Sequence, residues 1–225
     1  MKKTILLLLI LIFPTVAYLL FTQGKHNFRD LPYYGIKTPG EQPGDTIYHS
    51  IPAFELTNQD GKPYGSKDLE GKIYVANFFF TSCPSICTEM QTLMKKVHDD
   101  DNFTKLEDFK LVSFTVDPAR DTPEKLRQFS ERVQATPGRW QFLTGEKDSI
   151  YSIAYKGYLA NAMEDSLAPG GFLHSDLLFL IDRDKHIRGI YQGTSLTDVK
   201  RLIDEIKVLI AGYNSAKKGN TNPVK

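Results

Sequence analysis

The sequence is short of cysteine and of net charge, and both shortages exclude classes of protein. Its 225 residues include two cysteines and five scattered histidines, which do not form a four-ligand structural zinc site at a recognised spacing. The 28 basic residues are balanced by 27 acidic ones, so the chain lacks the positive excess with which a nucleic-acid-binding protein neutralises phosphates. Internal repeats are also missing. The 41% hydrophobic and 12% aromatic residues are enough for one core, and we expect a single domain that does not bind nucleic acid.

The N-terminus combines a basic flank with an apolar run. Lys2 and Lys3 precede ILLLLILIFPTVAYLLF, residues 5–21, whose length lies at the lower edge of the ~17–25 residues needed to span a bilayer. Val16-Ala17-Tyr18 does not fit a small-x-small cleavage signal, and no cysteine stands near the end of the run to carry a lipid. The pattern favours residues 1–21 as an uncleaved signal anchor over a removed signal peptide. Because the lysines stay in the cytoplasm, we expect the domain on the outer side of a bacterial-type inner membrane, facing the periplasm or cell exterior.

Three further segments follow the anchor. Residues 22–45 contain glycine, proline and charges without an apolar period, which is typical of a linker. Residues 46–213 carry the hydrophobic patterns of a folded domain. Residues 214–225, NSAKKGNTNPVK, have almost no apolar side chains, so we expect a disordered tail.

Strand and helix patterns alternate through the domain and predict an α/β fold. The continuous apolar run IYVANFFF, residues 73–80, is typical of a central parallel strand buried on both faces. Turn residues around Asn58 and Gly61 predict an earlier hairpin, and two adjacent strands near the C-terminus predict another. The other predicted elements are helices from about 84 to 97, 123 to 133, 146 to 158 and 195 to 213, and strands at 109–116 and 140–145. Their order is compatible with a thioredoxin-like fold, a central mixed sheet flanked by helices.

The two cysteines follow the apolar strand in the segment FFFTSCPSICTEM. Cys83 comes directly after the strand and Cys87 lies in the first turn of the next helix, where backbone N–H groups and the helix dipole favour thiolate. Residues four apart on a helix have Cβ atoms ~5–6 Å apart, whereas a relaxed disulfide needs ~3.5–4.5 Å. The spacing therefore favours two sulfurs that share a metal ion, with a stabilising disulfide as the alternative. Two thiolates and one imidazole suit copper.

The histidine that would complete such a site is not fixed by spacing. His26 lies in the linker, His98 ends a helix among acidic residues, and His186 occupies a hairpin turn, so we expect these three to be solvated. His49 precedes the first strand and stays a weak candidate. His174 ends the Gly-rich segment APGGFLH directly before the strand LLFLID, from which it could reach the sheet edge that carries the cysteines.

The order of these motifs resembles that of a known family. The strand, the C-x-x-x-C pair, VDPARDTPEKL and HSDLLFLIDRD follow one another between residues 47 and 212. In this the chain resembles the Sco (SenC) family of membrane-anchored copper proteins, which assist cytochrome c oxidase assembly. The resemblance implies a thioredoxin-like fold in which Cys83, Cys87 and His174 bind one copper ion. Ser175 matches the residue that commonly follows the histidine.

The resemblance also bears on residues around the proposed ligands. Asp117 matches an acidic residue that the family places near the copper loop, and it is either a turn residue or a group that orients the ligands. The chain departs from the common family pattern CPDVCP, with Ser85 and Thr88 at positions that supply no ligand. Met90 and Met94 follow on the same helix, and we expect them to pack in the core.

The resemblance favours a metallochaperone that delivers copper, as Cu(I) or Cu(II), to the binuclear copper site of a cytochrome c oxidase subunit. The alternative is a thiol–disulfide reductase that keeps the copper-site cysteines of the oxidase reduced, or a redox sensor. A copper donor or a thiol reductant protein would be a further partner. A general thioredoxin is disfavoured because Pro169 stands too early to be the cis-proline before the strand. A thioredoxin-like peroxidase is disfavoured because no basic residue adjoins the cysteine turn.

Overall fold

The computed structural model describes residues 12–14, 30–42, 44–83, 86–160, 162–164, 172–174 and 176–217. For residues 86–88, 162–164, 172–174 and 216–217 only the backbone is described. The chain divides into two units, residues 1–30 and residues 31–225. Of the predicted anchor, residues 12–14 are described, and they are helical. Among the helices in the described ranges, none has the length and apolarity needed to cross a membrane.

The second unit is built on a seven-stranded mixed sheet with the order β11-β10-β5-β6-β7-β3-β4. The three central strands β5, β6 and β7 are parallel, and the strands on either side of them are antiparallel to their neighbours, as the sequence predicts. Two separate hairpins, β1–β2 and β8–β9, were not predicted. The strands are β1 Lys37–Pro39, β2 Thr46–Tyr48, β3 Glu55–Asn58, β4 Pro63–Gly65, β5 Ile73–Phe79, β6 Phe109–Thr115, β7 Trp140–Thr144, β8 Ala162–Glu164, β9 Phe172–His174, β10 Leu177–Ile181 and β11 Ile187–Gln192.

The helices connect the strands at positions close to those predicted. The helix after β6 begins with Pro123, and the hydroxyl of Thr122 caps it by accepting a hydrogen bond from the Lys125 N–H at 3.4 Å. The predicted third helix ends in a π-helical turn, Ile153–Gly157. The helices are α1 Ile86–His98, α2 Asp101–Thr104, α3 Pro123–Arg132, α4 Lys147–Ser152 and α5 Leu196–Lys217.

The core lies on both faces of the central strands, which explains why β5 reads as an unbroken apolar run. All residues of β5 are buried. Helix α1 covers one face with Met90, Met94 and Val97, each fully buried at the spacing of successive helical turns. Burying a side chain of this size contributes about 1.5–3 kcal/mol relative to leaving it exposed. The prediction that both methionines pack in the core is confirmed.

A line of buried polar side chains crosses the sheet below α1. The indole N–H of Trp140 donates to the Ser113 hydroxyl at 2.9 Å, and this hydroxyl donates to the side-chain oxygen of Asn77 at 2.6 Å. The Asn77 amide then donates to the sulfur of Met90 at 3.8 Å. Because each buried group in the line has a partner, the line fixes the register of α1 over the central strands without leaving an unpaired polar atom.

Parts of the predicted linker and tail have defined structure. The Tyr34 N–H donates to the Ile187 carbonyl at 2.9 Å, and the Arg188 guanidinium donates to the Leu31 carbonyl at 2.5 Å. Together with the β1–β2 hairpin, these contacts attach residues 31–48 to the same unit as the sheet. At the other end, α5 continues through residues 214–217 of the predicted tail. Residues 218–225 lie outside the described residues.

Candidate metal centre

The cysteine loop, which connects β5 to α1, carries Cys83. The Cys83 N–H donates to the Phe80 carbonyl at 3.3 Å, which closes a turn just past the end of β5. Cys83 is partly buried and packs against the core. Cys87 lies in the first turn of α1, as predicted, but its side chain is outside the described part of the structure, as are Pro84 and Ser85.

A buried carboxylate anchors this loop. Asp121 is fully buried, and its side chain accepts hydrogen bonds from the Thr81 N–H at 3.0 Å, from the Thr81 hydroxyl and from the Thr115 hydroxyl at 2.5 Å. By its position just before Thr122 and Pro123, Asp121 has the sequence context of a helix-capping residue, but the cap of α3 is Thr122. Sequence reasoning missed the anchoring role because nothing local distinguishes it from an ordinary capping residue.

Asp117 occupies the turn between β6 and α3. Its side chain is almost completely buried and accepts a hydrogen bond from the exposed Arg120 guanidinium at 3.4 Å. Burial raises the pKa of Asp117, and the positive charge of Arg120 opposes that shift. The Asp117 carbonyl accepts from the Asp121 N–H at 2.9 Å, so the turn is connected to the cysteine loop through Asp121. The role of Asp117 in orienting the ligands stays a prediction, because the side chains of Cys87 and His174 lie outside the described part of the structure.

The strand β10, which follows His174 in the chain, enters the main sheet at the end that carries the cysteine loop. His174 is the last residue of β9, where its backbone pairs with Ala162 of β8. β10 then runs antiparallel to β5, with Leu178 opposite Asn77. The start of β10 therefore lies beside the end of β5, which is the juxtaposition that the sequence predicted. The side chain of His174 is outside the described part of the structure, and the ligand set Cys83, Cys87 and His174 stays a prediction.

The entry into β10 is held against α1 at a glycine. The Gly193 N–H donates to the Asp176 carbonyl at 2.6 Å, and the Thr194 hydroxyl donates to the Asp176 carboxylate at 2.7 Å. A Cβ atom at Gly193 would lie 2.8 Å from both the Asp176 carbonyl oxygen and the Cγ of Met90. Gly193 thus packs between Met90 of α1 and Asp176, at a distance that only a residue without a side chain allows.

The other histidines whose side chains are described are engaged elsewhere. His49 Nε2 is 2.7 Å from the Gly157 carbonyl, and His186 Nδ1 is 2.9 Å from the His49 carbonyl, so each of these nitrogens donates. His98 is 5% exposed, and the prediction that it is solvated is wrong. Its Nε2 accepts from the Thr136 N–H at 3.1 Å, and its Nδ1 is 2.7 Å from the Asp99 carboxylate. His26 lies outside the described residues.

The residue types at this end of the sheet fit a copper ion. Within the described ranges, no cluster of three or more histidine, cysteine or carboxylate side chains forms an alternative metal site. Two thiolates with one imidazole are soft to intermediate donors, which suit copper better than a hard cation such as magnesium or calcium.

Comparison with known proteins assigns the chain to a family. The SCO1/SenC family profile matches residues 44–211. The chain belongs to the SCO1/SenC family. A SCO1/SenC family lipoprotein from Bacillus anthracis is 34% identical, with a TM-score of 0.66 over 72% of this chain and 95% of that one. These matches agree with the motifs from which the resemblance to the family was inferred.

Two further solved structures carry information on the chemistry of the SCO1/SenC family. BsSco, described as having a disulfide switch and as a member of the Sco family of cytochrome c oxidase assembly proteins, is 27% identical with a TM-score of 0.63, over 72% of this chain and 93% of that one. ScoI of Arabidopsis thaliana, solved with copper bound, is 27% identical with a TM-score of 0.61, over 72% of this chain and 98% of that one. The predicted thioredoxin-like fold is confirmed, because it is the fold of the family.

Proposed function

We propose that the protein binds one copper ion through Cys83, Cys87 and His174 and delivers it to the binuclear copper site of cytochrome c oxidase during assembly. The observation that carries the proposal is the antiparallel pairing of β10 with β5, which brings the segment after His174 beside the segment before Cys83. Family membership and the copper-bound relative support copper as the cargo. Transfer would proceed by ligand exchange, in which partner thiolates replace Cys83 and Cys87 one at a time.

Copper titration of the full chain tests the ligand set. The His174→Ala variant should retain Cu(I) on its two sulfurs, whereas its Cu(II) affinity and its sulfur-to-copper absorption should fall strongly because the imidazole is lost. His49→Ala is the matched control, since the His49 ring is bound to the Gly157 carbonyl. If His174→Ala bound Cu(II) like the parent and His49→Ala lost Cu(II) binding, the ligand histidine would be His49.

The second candidate function is thiol–disulfide reduction, favoured by the disulfide switch described for BsSco. In this reaction the Cys83 thiolate attacks a disulfide of the oxidase copper site and releases one partner thiol. The Cys87 thiolate then resolves the mixed disulfide, which releases the second partner thiol and leaves a Cys83–Cys87 disulfide. A thiol reductant protein must supply two electrons to restore the dithiol. A redox sensor would use the same pair without a fixed partner.

Oxidase activity in cells separates delivery from reduction. Copper delivery needs all three ligands, whereas thiol–disulfide exchange needs only the two cysteines. At limiting copper, His174→Ala should therefore abolish oxidase assembly if the protein delivers copper, with partial rescue by added copper. Full oxidase activity of that variant at limiting copper would favour the reductase. Cys83→Ser and Cys87→Ser should be inactive under both functions and serve only as null references.

We also propose that residues 1–21 anchor the protein in the inner membrane with its domain outside the cytoplasm. The basic flank and apolar run of the sequence support this, and the oxidase subunit and a copper donor would be met on that side. Cell fractionation should recover the full-length chain with membranes, and protease added outside the inner membrane should degrade its domain. Recovery of a shortened, soluble chain would show that the segment is a cleaved signal.

A further inference from the structure

A cleft between α1 and α3 opens beside Cys83. It has a volume of about 700 Å³ and is lined on one wall by Gln91 and Lys95 of α1, and on the other by Arg132 and Gln134 at the end of α3. This volume lies within the ~300–1,000 Å³ of typical ligand sites. We call it the α1–α3 cleft.

The α1 wall of the α1–α3 cleft carries an unpaired buried amide. Gln91 is 3% exposed, and neither its side-chain nitrogen nor its side-chain oxygen has a hydrogen-bond partner among the described residues. A buried polar group without a partner costs about 1–3 kcal/mol. A carboxamide donates and accepts at once, so its natural complement is another amide, such as a peptide unit that offers one C=O and one N–H.

The walls of the cleft carry positive charge. Arg132 lies over the ring of Phe129, with its guanidinium carbon 4.7 Å from the ring centroid, and no carboxylate of the described residues forms an ion pair with it. Lys95 lines the same cleft, although Asp99 at 2.5 Å offsets part of its charge. The cleft therefore favours an occupant with negative side chains.

Gln134, just after the end of α3, lines the cleft in a strained backbone conformation. Gln134 has a φ of 56°, in the left-handed region that glycine usually occupies just after a helix. A non-glycine residue in this conformation costs about 1 kcal/mol, and here it adds a second carboxamide to the lining of the cleft.

We propose that the α1–α3 cleft binds an extended acidic segment of the partner protein whose cysteines exchange with Cys83. The Gln91 amide pairs with a peptide unit of that segment, and Lys95 and Arg132 attract its carboxylates, which brings a neighbouring cysteine of the segment to Cys83. This inference rests on the proposed function, since both the delivery and the reduction of copper-site cysteines require such a partner.

Mixed-disulfide formation with synthetic peptides tests the proposal. In the full chain with Cys87→Ser, the Cys83 thiolate attacks a peptide cysteine activated as its thionitrobenzoate disulfide, and the coloured thionitrobenzoate leaves as the new disulfide forms. A peptide whose cysteine is flanked by glutamates should react about tenfold faster than its lysine-flanked counterpart at low salt, because complementary charge raises association rates. Salt should remove the difference.

Three variants of cleft residues and one control variant, all in the same background, assign the preference to the cleft. Gln91→Leu should slow both peptides, and Arg132→Gln should remove the preference for glutamate. Lys95→Gln should reduce that preference, whereas Lys96→Gln, which removes an equal charge one residue along and lies outside the cleft lining, should not. None of these four variants should alter the rate of reaction with 2,2′-dithiodipyridine. This small neutral reagent reports on the reactivity of Cys83 alone. Gln91→Leu should fold at least as stably as the parent, because it removes an unpaired buried group.

The outcomes separate this proposal from the proposed function. Equal rates for the two peptides, or unchanged rates in Gln91→Leu and Arg132→Gln, would overturn the peptide-binding cleft even if copper binds as proposed. The proposal would also be overturned if the reaction rate of activated glutathione depended on Gln91 and Arg132 as strongly as the rates of the peptides do. The cleft would then be a site for small thiols. If the parent chain did not bind copper but still preferred the glutamate-flanked peptide, the proposed copper delivery would be overturned and the proposed peptide-binding role of the cleft would be supported.

Discussion

Thr81 and Asp121 are joined by two hydrogen bonds, which tie the cysteine loop to the turn between β6 and α3. The Thr81 N–H donates to one carboxylate oxygen at 3.0 Å, and the Thr81 hydroxyl donates to the other. The loop that presents Cys83 is therefore held at its base by a side chain from a distant part of the sequence. These hydrogen bonds fix the position of the loop where it leaves β5, and they use none of the predicted metal ligands.

Removal of the Asp121 carboxylate should destabilise the protein. Asp121→Ala removes the acceptor of one fully buried donor, the Thr115 hydroxyl, and of two partly buried donors on Thr81. Hydrogen bonds to charged groups contribute about 1.5–3 kcal/mol, and water can replace the acceptor for Thr81, so we expect a loss of about 2–3 kcal/mol. Asp121→Asn should cost about 1 kcal/mol, because the amide keeps one acceptor oxygen. Urea unfolding measures both losses. The exposed Asp60→Ala should stay within about 0.5 kcal/mol of the parent, and a parent-like Asp121→Ala would contradict the anchoring role.

Substitution of Gly193 tests the contact between the start of β10 and α1. In Gly193→Ala the new methyl group lies 2.8 Å from the Asp176 carbonyl oxygen and from Met90, so overpacking should cost about 1–3 kcal/mol. Cu(II) absorption should weaken as well, because the displaced backbone lies just after His174. Thermal unfolding and copper titration measure the two effects.

Gly212 is the matched control for Gly193. A Cβ atom at Gly212 meets nothing within 4 Å, and the residue lies in α5, so Gly212→Ala should stabilise the protein by about 0.5–1 kcal/mol. Unchanged stability and copper absorption in Gly193→Ala would show that the start of β10 is free to move.

The buried imidazole of His98 should titrate at low pH. Burial holds the pKa of His98 below its ordinary value of 6.5, and the hydrogen bond to Asp99 opposes this only in part. The folded state therefore binds the proton less readily than the unfolded chain, so the free energy of unfolding should fall as the pH drops from about 6.5 through the folded pKa. NMR titration of the imidazole measures the folded value directly, and a midpoint at or above 6.5 would contradict the described burial.

Asp117 should make the opposite contribution. Burial raises its pKa in the folded state, so ionisation is penalised there, and stability is lost as the pH rises through the folded value. Asp117→Asn should therefore increase the free energy of unfolding at neutral pH, with a smaller gain at about pH 2, well below the ordinary Asp pKa of ~3.9, where the parent carboxyl is protonated in both states. The gain should be larger in an Arg120→Gln background, because Arg120 opposes the shift. Equal gains at both pH values would exclude ionisation as the cause.

Much of the fold could be predicted because its patterns are local. The apolar run of β5, the capped start of α3 and the antiparallel pair β10 and β11 each show in a short window of sequence. The β8–β9 hairpin could not be predicted, since its strands are short and are joined through a glycine-rich segment without an apolar period. The burial of His98 was also missed, because polar neighbours in the sequence do not reveal that Trp140 packs beside the ring and that the Thr136 N–H donates to it.

The sequence by itself determined the family and predicts the chemistry of the centre. Two cysteines four residues apart after a buried strand, followed by a histidine before another strand, predict sulfur and nitrogen donors, and the chain matches the SCO1/SenC family profile. Residue types and local periodicity are enough for this because both are read from consecutive positions.

Only the tertiary structure decided which distant residues support that centre. Asp121 accepts hydrogen bonds from Thr81, and Gly193 packs against Met90 and Asp176. Gln91 and Arg132 line opposite walls of the α1–α3 cleft. In each case the residues are far apart in the chain. The physical reason is that sheet pairing and core packing set these distances, and neither depends on sequence neighbours alone. Whether a buried polar group is satisfied depends on all the elements packed around it, which is why Asp121 is an anchor and Gln91 is an unpaired amide.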